Sequence, residues 1–352
     1  MVPVVDLSRH APEVIAAYLR RVGDVMASGT LLLGPETAAF EHELAQWAGV
    51  PGAVAVSSGA AALQLSLAAL GVGPGDEVVV PAFTAVPTAS AVCALGAVPV
   101  FADVDPATAA IDAAAVDAAR TDRTRAVVVV HLYGRPAPLP NTDLPIVEDA
   151  AQAIGALERH DRSAAVAYSF YPTKNLGGIG DGGAVVSADT EVLDRVRRLR
   201  VHGMTEQYVH EQVAQNFRMS EIEAAWLRLG LTSIDAANER RRSIVARYRA
   251  AAPGLAWHAD HPRHVHHLCV VRSTDRTAVR NRLAAAGVAT GVHYPLALTQ
   301  QPAYRHFTRT ACPEAEAWAS SCASLPCFPS MTDAEIDVVA TALADLDGSW
   351  AA

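Results

Sequence analysis

The chain has 352 residues, of which 51% are hydrophobic, and this is enough to bury the core of one large α/β domain and a smaller second domain. Its 28 basic and 37 acidic residues give a formal net charge of −9 without a basic stripe, so the charge pattern does not favour a nucleic-acid partner. Asp6 and Arg9 interrupt the N-terminal segment where a signal peptide would carry its apolar core, and no apolar run is long enough to cross a membrane. We therefore expect a cytoplasmic protein with neither a membrane partner nor a nucleic-acid partner.

The cysteines and histidines do not form a strong metal-binding pattern. The sequence contains no CxxC pair, and we expect free thiols in a reducing compartment at Cys93, Cys269, Cys312, Cys322 and Cys327. A histidine cluster is present, but its spacing is a weak signal, and a predicted strand, VHHLCVV, carries its last members. The cluster consists of His258, His261, His264, His266 and His267. We therefore predict no metal site.

The first predicted elements lead to a candidate anion site. Residues 35–47 have apolar residues at helical spacing and acidic residues in the first turn, which indicates a helix. A strand, AVAVSS, follows, and Gly59 begins a helix rich in alanine and leucine that ends at Gly71. A strand that leads through Ser57 and Ser58 into a helix start favours an anion, because free backbone N–H groups and the helix dipole face it. An ordinary N-cap by one of the serines is the simpler interpretation when these residues are taken alone.

Alternating strands and helices then predict a parallel sheet with helices on both faces. The strands are EVVVP, VPVFADV and AVVVVHLY, and a helix around Val116 precedes the third of them. Two further short buried strands, VAYSF and GAVV, flank a glycine-rich loop. Ligands of such sheets bind at the carboxyl ends of the strands. The residues at these ends, which can converge on one pocket, are Ser57, Ser58, Phe83, Asp149 and Ser169.

The connection between AVVVVHLY and the next apolar run, IVED, is unusual. Neighbouring parallel strands usually need a helical crossover of about a dozen residues. The connecting sequence RPAPLPNTDLP carries Pro136, Pro138, Pro140 and Pro145, which exclude a helix. We therefore expect the sheet to lack covering structure on one edge.

The rest of the chain predicts three helices and then a second domain. The helices cover residues 190–200, 219–231 and 234–252, and Pro253 and Gly254 break the chain after them. The strand VHHLCVV, the helix TAVRNRLAAAG, the segment GVHYP and a last helix after Ser330 indicate a small α+β domain. We predict a large domain over residues 1–237 and a small C-terminal domain over residues 238–352.

A lysine and an aspartate at strand ends carry the predicted chemistry. Lys174 follows the VAYSF run, where partial desolvation lowers the pKa of a lysine and makes its amine a usable nucleophile. Asp149 ends the IVED run. This pair suits pyridoxal phosphate, because the lysine bonds to the cofactor aldehyde and the carboxylate keeps the pyridine nitrogen protonated. Taken separately, Lys174 could be a surface lysine of a glycine-rich hairpin and Asp149 a helix cap.

Over nearly its whole length the chain resembles the DegT/DnrJ/EryC1/StrS family of sugar aminotransferases. The resemblance rests on the order and joint presence of motifs between VPVVDL and SLPCFPSMTDAEID, namely GVGPGDEVVVPAFT, AVPVFADVDPATAAID, VHLYG, VEDAAQA, SFYPTKN, GDGGAVV and GVHYP. It implies the α/β fold of type I pyridoxal-phosphate-dependent transferases, in which a large domain with a mainly parallel seven-stranded sheet precedes a small C-terminal α+β domain. It also implies a homodimer whose active site is shared between the subunits.

The resemblance also implies a role for individual residues. Lys174 is the catalytic lysine, Asp149 is the partner of the pyridine nitrogen, and Gln152 touches the ring oxygen. Further cofactor contacts are implied for Ser58, Gly59, Ala60, Ala85, Ser169 and, from the other subunit, Asn216. Substrate contacts are implied for Arg218, whose planar guanidinium suits the carboxylate of an amino donor, and for His293 and Tyr294. A structural ion pair for Arg218 and a core position for His293 and Tyr294 are the alternatives.

Three positions depart from the family pattern. Ala60 stands where a threonine is frequent, so one hydroxyl donor to the phosphate is missing. Ala85 stands where an aromatic residue often stacks on the cofactor ring, which leaves more room for substrate. Ile154 replaces a frequent histidine. None of these changes removes the lysine and aspartate of the Schiff-base chemistry.

The resemblance implies an aminotransferase that moves an amino group from L-glutamate or glutamine to a keto carbon of a nucleotide-linked deoxysugar. The spacing of Tyr208 and His210 ahead of Asn216 is similar to that of members acting at sugar carbon 3. The alternatives are amination of a cyclitol ketone, an aminohydroxybenzoate-type synthase, and a non-catalytic regulatory protein that binds the cofactor. Lys174 argues against the dehydratase branch, which typically carries a histidine at this position.

Overall fold

The computed structural model of the chain describes residues 1–347, so residues 348–352 of the predicted small domain lie outside the described residues. Seven strands form the central sheet: β1 Gly52–Val56, β2 Glu77–Pro81, β3 Val98–Ala102, β4 Thr124–Val130, β5 Ile146–Asp149, β6 Ala165–Ser169 and β7 Gly183–Ser187. Their spatial order is β1-β7-β6-β5-β4-β2-β3. Strand β7 is antiparallel to both of its neighbours, and the other pairs of this sheet are parallel. The predicted mainly parallel seven-stranded sheet is confirmed.

The strands are short apolar runs that are buried on both faces, which is typical of a sheet covered by helices. Their register brings the carboxyl ends together, since Asp149 pairs with Val130 on one side and with Ala167 on the other. The antiparallel β7 begins at this same edge, where Gly183 pairs with both Val56 and Ser169. A Cβ on Gly183 would lie 2.3 Å from the carbonyl oxygen of Ser58, so only glycine allows this close approach.

The helices cover the sheet and supply most of the second domain. They are α1 Pro12–Ser28, α2 Pro35–Ala48, α3 Gly59–Ala69, α4 Pro87–Cys93, α5 Ala113–Ala119, α6 Thr190–Leu199, α7 Glu221–Leu231, α8 Ile234–Ala251, α9 Arg276–Ala285, α10 Pro313–Ser321 and α11 Asp333–Asp347. The predicted helices are all present, whereas α1, α4 and α10 were not predicted. Each of these three has a proline in its first turn, where the missing N–H costs nothing because that donor has no partner within the helix.

Two smaller sheets complete the fold. Strands β8 Met204–Glu206 and β9 Val209–His210 form a hairpin, and β10 Ala256–Trp257, β11 Cys269–Arg272 and β12 Cys322–Leu325 form an antiparallel sheet. Residues of β11, β12, α8, α9 and α11 share one hydrophobic core, which also contains Val2. Trp318 of α10 packs instead in the core of the central sheet. The predicted boundary after residue 237 falls within α8, and the division into domains stays a prediction.

The predicted strand VHHLCVV is wrong in its first half, because β11 begins only at Cys269. His266 has a φ of +42°, in the left-handed region that an extended strand does not visit. The backbone N–H of Val265 donates to the carbonyl of Gly134, 3.0 Å away. The histidines of this segment therefore lie in a loop that packs on the turn after β4.

The proline-rich connection between β4 and β5 contains no α-helix, as predicted. A single 3₁₀ turn, Leu132–Gly134, follows β4, and an extended chain then leads to β5. This face of the fold keeps a cavity of about 460 Å³, lined in part by His131, Arg135, Glu148 and Arg263. Glu148 is bound there by the Nε2 of His131 at 2.7 Å and by the hydroxyl of Ser163 at 2.6 Å. Because successive strand residues point to opposite faces, Asp149 faces the other side of the sheet.

Candidate active site

A cavity of about 260 Å³, called the cofactor cavity below, opens at the carboxyl edge of the central sheet. Its lining includes eight of the predicted site residues, which are Ser58, Gly59, Ala60, Ala85, Asp149, Gln152, Ser169 and Lys174. They come from the ends of β1, β5 and β6, from the start of α3 and from the loops beside them. The topology therefore brings together residues that are up to 116 positions apart, the difference between 174 and 58.

Asp149 is the buried acid of this cavity. Its carboxylate accepts a hydrogen bond from the hydroxyl of Thr88 at 2.8 Å and another from the backbone N–H of Ala151 at 3.1 Å. Burial raises the pKa of Asp149, and these two donors and the nearby Lys174 act in the opposite direction. Thr88 lies on α4, so sequence reasoning missed this contact, and the segment PTASAV gave no signal for it.

Lys174 is the partly buried base. It follows β6 in a turn in which its backbone N–H donates to the carbonyl of Tyr171, 2.8 Å away. Burial lowers the pKa of its amine to about 8, although the carboxylate of Asp149 favours the charged form. An appreciable fraction of the amine is therefore uncharged and nucleophilic near neutral pH. It is also the only lysine in the sequence.

Lys174 also borders a second cavity of about 330 Å³, whose lining includes Arg241, His267, His293 and Tyr294. Gln152 connects the two cavities, since its side chain accepts from the backbone N–H of Tyr133 at 2.6 Å and donates to the Tyr294 hydroxyl at 3.0 Å. Burial raises the pKa of Tyr294 to about 12, so its hydroxyl keeps its proton at neutral pH. The structure thus places two of the three predicted substrate residues, His293 and Tyr294, beside the lysine.

Asn175 and His267 are residues near the lysine to which sequence reasoning gave no role. The side-chain amide of Asn175 donates to Asn238 at 2.8 Å and to the carbonyl of Val265 at 3.0 Å. The Oδ1 of Asn175 lies 3.2 Å from the Nδ1 of His267. These contacts fix the turn that carries Lys174. The histidine cluster was the available sequence signal for His267, but the predicted strand over this segment led us away from a role for it.

The start of α3 provides donors for an anion. Ser58 is the N-cap residue, and its hydroxyl accepts from the backbone N–H of Ala61 at 3.1 Å. The backbone N–H groups of Gly59 and Ala60 have no acceptor among residues 1–347 and lie at the cavity. A Cβ on Gly59 would lie 2.5 Å from the Cβ of Ser169, so the glycine lets this serine approach the helix start. An N-cap and an anion site therefore coexist here.

Asn216 and Arg218 do not line the cofactor cavity of their own chain. Asn216 is exposed, and its side-chain oxygen accepts from the Nε of Arg218 at 2.9 Å. Between them, Phe217 accepts the backbone N–H of Ser57 through its carbonyl at 2.8 Å. Their segment therefore runs beside the start of the anion site without pointing these two side chains into it. Their predicted action from a second subunit stays a prediction.

The remaining histidines of the cluster are bound by protein groups. The Nε2 of His258 lies 2.8 Å from the carbonyl of Thr108, and its Nδ1 lies 3.3 Å from the Nε2 of His264. The rings of His264 and His266 stack with centroids 3.8 Å apart. Burial lowers the pKa of His258 to about 4 and that of His266 to about 3. Within residues 1–347, no group of three or more His, Cys, Asp or Glu side chains is arranged to hold a metal ion.

The residues of the cofactor cavity fit pyridoxal phosphate. A buried carboxylate suits its pyridine nitrogen, a partly buried lysine with a lowered pKa suits its aldehyde, and free N–H groups at a helix start suit its phosphate. The hydroxyl that Ala60 lacks is partly replaced, because the hydroxyls of Ser58 and Ser169 both border the cavity. Across the described part of the chain, no helix is both long enough and apolar enough to span a membrane.

Comparison with known proteins agrees with this geometry. The sequence profile of the DegT/DnrJ/EryC1/StrS aminotransferase family matches residues 12–344. A UDP-N-acetyl-3-dehydro-α-D-glucosamine 3-aminotransferase of Acidithiobacillus ferrooxidans is 38% identical, and the match covers 97% of each chain. A dTDP-3-amino-3,4,6-trideoxy-α-D-glucose transaminase of Streptomyces venezuelae is 41% identical, over 94% of this chain and 92% of the other.

Solved structures give the same answer. DesV of Streptomyces venezuelae, in complex with a ketimine intermediate, superposes with a TM-score of 0.93 at 39% identity and covers 98% of both chains. NtdA of Bacillus subtilis, with the bound cofactor PMP, has a TM-score of 0.92 at 27% identity, over 99% of this chain and 85% of the other. The predicted fold, aminotransferase class and pyridoxal cofactor are confirmed. The chain belongs to the DegT/DnrJ/EryC1/StrS aminotransferase family.

Proposed function

We propose that the chain transfers the amino group of L-glutamate or glutamine to the keto group at carbon 3 of a nucleotide-linked deoxysugar. The observation that carries the proposal is that the partly buried Lys174 and the buried Asp149 line one cavity at the carboxyl edge of the sheet. Position 3 is supported by the relatives named above, whose names place the amino group at carbon 3. A role in secondary-metabolite or cell-surface sugar biosynthesis follows from such a product.

Several residues in and beside the cofactor cavity have a role in this proposal. Bound pyridoxal phosphate supplies an electron sink for the transfer. Lys174 would hold the cofactor covalently, and its amine, when free, would be the group that moves the proton. Asp149 keeps the pyridine nitrogen protonated, and Thr88 keeps the Asp149 carboxylate oriented. The N–H groups of Gly59 and Ala60, with Ser58 and Ser169, hold the phosphate.

Substrate selection depends on groups around the cofactor cavity. The second cavity, beside Lys174, has room for a sugar, and His293 and Tyr294 form one of its walls. Ala85 lines the cofactor cavity, where its small side chain leaves more room than an aromatic residue would. We infer that Asn216 and Arg218 complete the site of a neighbouring subunit in a homodimer, with Arg218 binding the donor carboxylate. We also place the enzyme in the cytoplasm.

The test is turnover of the purified holoenzyme with L-glutamate, L-glutamine or L-alanine and a panel of ketones. The panel comprises dTDP- and UDP-linked 3-keto and 4-keto deoxysugars and a free cyclitol ketone, with Lys174→Ala as the matched control. We expect an amino sugar, detected by mass spectrometry, from a nucleotide-linked 3-keto sugar with glutamate or glutamine only. If only the cyclitol ketone gave a product, the enzyme would instead be a cyclitol aminotransferase. Cofactor binding without turnover of any donor or ketone would favour the regulatory alternative.

A further inference from the structure

The loop that follows Lys174 rests on one buried carboxylate. We call residues 172–183 the lysine loop. Glu223, in the first turn of α7, is 4% exposed, and its carboxylate faces the backbone N–H groups of Ile179 and Gly180. A Cβ on Gly178 would lie only 1.7 Å from its Oε1, so the carboxylate occupies the space that this glycine leaves free. The Nε1 of Trp226, one turn further on, donates to the carbonyl of Gly177 at 2.8 Å.

Both ends of the lysine loop carry a residue that lines the cofactor cavity. Lys174 lies near the start of the lysine loop and Asp181 near its end, and both residues line the cavity. Two backbone hydrogen bonds close the loop on itself, from Gly178 to the carbonyl of Phe170 at 2.7 Å and from Phe170 to the carbonyl of Gly182 at 2.8 Å. A change in how Glu223 holds the middle of the loop is therefore transmitted to the residues at both of its ends.

One oxygen of Glu223 lacks a partner. Its Oε1 is buried and has no hydrogen-bond partner among residues 1–347. Both Oε1 and the carbonyl oxygen of Phe170 lie within 3 Å of the point where a Cβ on Gly178 would stand, at 1.7 and 2.9 Å. Two acceptors that face one space repel each other when the carboxylate is ionised. A proton on Oε1 turns it into a donor for that carbonyl.

Among residues 1–347, no cationic side chain contributes to the pKa of Glu223. The titratable groups that face it are Asp181 in the lysine loop and Tyr18 on α1. Burial raises the pKa of Glu223 to about 7, the N–H groups of Gly180 and Ile179 act against this, and Asp181 adds to it. Glu223 therefore loses its proton near neutral pH, where enzymes commonly work.

Glu221, in the same helical turn, shows that this is not a general property of acids at a helix start. Its carboxylate accepts the backbone N–H groups of Gly34 at 2.9 Å, Glu36 at 2.8 Å and Thr37 at 2.9 Å, and also the Thr37 hydroxyl. These donors join α7 to the start of α2. Glu221 therefore has a structural role in which both carboxylate oxygens are hydrogen-bonded, whereas the Oε1 of Glu223 has no partner within residues 1–347.

We propose that Glu223 is a positioning residue that holds the lysine loop in its working arrangement when it is protonated and loosens the loop when it loses its proton. The inference rests on the aminotransferase activity proposed above. It means that the site is best ordered in neutral to slightly acidic solution and that Lys174 and Asp181 lose their positions as the pH rises.

The test compares wild type with Glu223→Gln, which keeps the shape, cannot ionise and has an amide that can donate where a protonated Oε1 would. We expect the ratio of kcat in the variant to kcat in wild type to rise several-fold between pH 6 and pH 8.5, with little change in KM. Glu221→Gln is the control, and we expect it to lower the melting temperature while its kcat ratio stays independent of pH. A kcat ratio for Glu223→Gln that does not change with pH would overturn the proposal.

A second measurement does not depend on turnover. A pKa raised in the folded state means that the folded protein binds the proton more tightly, so this stabilising contribution is present at low pH and is lost as the pH rises to about 7. The melting temperature of Glu223→Gln minus that of wild type should therefore increase between pH 5 and pH 8, and a constant difference contradicts the proposal. In Asp181→Asn, which keeps Glu223, the pH-dependent fall of the melting temperature should occur at a lower pH than in wild type. Absence of turnover with ketosugars would sink the proposed function but leave this measurement unaffected.

Discussion

Two neighbouring regions differ in burial: the floor of the cofactor cavity, by which we mean Asp149, Thr88 and Lys174, and the segment 202–218. On the floor, Asp149 and Thr88 are buried and bind each other, and Lys174 lies close to them. In the segment, Tyr208 is 84% exposed, Val213 is fully exposed, and Asn216 binds only its neighbour Arg218 through its side chain. The proposed reactive groups therefore lie together within one chain. The adjoining segment 202–218, called the open rim below, is exposed.

The open rim continues onto neighbouring elements. Apolar side chains are exposed on α1, in the turn before α2 and in the lysine loop, and they include Leu19, Met26, Leu31, Leu32 and Ile179. Leu32 forms a bridge with Ser220, at the start of α7 and close in sequence to Arg218. An exposed apolar surface that adjoins an incomplete polar rim is what a symmetric partner would cover. The difference between the two regions leads us to expect chemistry from one subunit and recognition from two.

The largest effect should come from Lys174→Ala, which removes the central group of the floor. Because no other lysine exists in the sequence, no second side chain can take over the covalent bond to the cofactor. We expect loss of the visible cofactor band and a fall in kcat of about 10³-fold or more, the scale of removing a covalent catalyst. Borohydride reduction of wild type should place the cofactor mass on the peptide that contains Lys174. The same band and the same reduced adduct in the variant would contradict the assignment.

The next effect is expected for Asp149→Asn. Its shape and its contact with Thr88 can persist, but the buried charge that faces the pyridine nitrogen is lost. We expect cofactor binding to be retained and kcat to fall by about 10²–10³-fold, the loss typical of removing one oriented electrostatic group. The matched control is Glu148→Gln, on the opposite face of the same strand, where His131 and Ser163 bind the carboxylate. That control should cost about 1–3 kcal/mol of unfolding free energy but keep the cofactor spectrum, and near-normal turnover in Asp149→Asn would rule out the electron-sink role.

The positions of Asp149 and Lys174 were predictable from sequence because their signals are local. Short apolar runs bounded by turn residues placed Asp149 and Lys174 at strand ends, and the rule for parallel sheets brought those ends together. Thr88 was not predictable, because its role depends on the tertiary contact between its hydroxyl and Asp149, which leaves no pattern in the sequence. Glu223 looks like an ordinary acid in a first helical turn, and only the tertiary contact with Gly178 distinguishes it from Glu221. The strand over His266 failed for a related reason, since a backbone turn with positive φ leaves little trace in the composition.

The open rim should reveal itself in mixed dimers. We expect Asn216→Ala with Arg218→Ala to lower kcat/KM by about a hundredfold, the scale of losing two charge-assisted hydrogen bonds. Mixed in equal amounts with Lys174→Ala and allowed to exchange subunits, the pair should recover about a quarter of wild-type activity, since half of the dimers are mixed and one of their two sites is intact. Activity is measured after exchange has been proven by native mass spectrometry. No recovery would show that Asn216 and Arg218 act within their own subunit, or not at all.

The smallest effect tests how finely the floor is ordered. Thr88→Val removes the hydroxyl that donates to Asp149 at 2.8 Å and keeps the volume of the side chain, while Thr88→Ser keeps the hydroxyl. We expect kcat to fall about tenfold in the valine variant, equivalent to about 1.4 kcal/mol for one hydrogen bond to a charged group, and to return most of the way in the serine variant. Because that hydroxyl lowers the pKa of Asp149 against the effect of burial, its loss should move the protonation of the carboxyl to higher pH. The visible cofactor band is then expected to shift its pH dependence upward in Thr88→Val but not in Thr88→Ser, and equal spectra and rates in both variants would mean that the backbone N–H of Ala151 alone suffices to orient the acid.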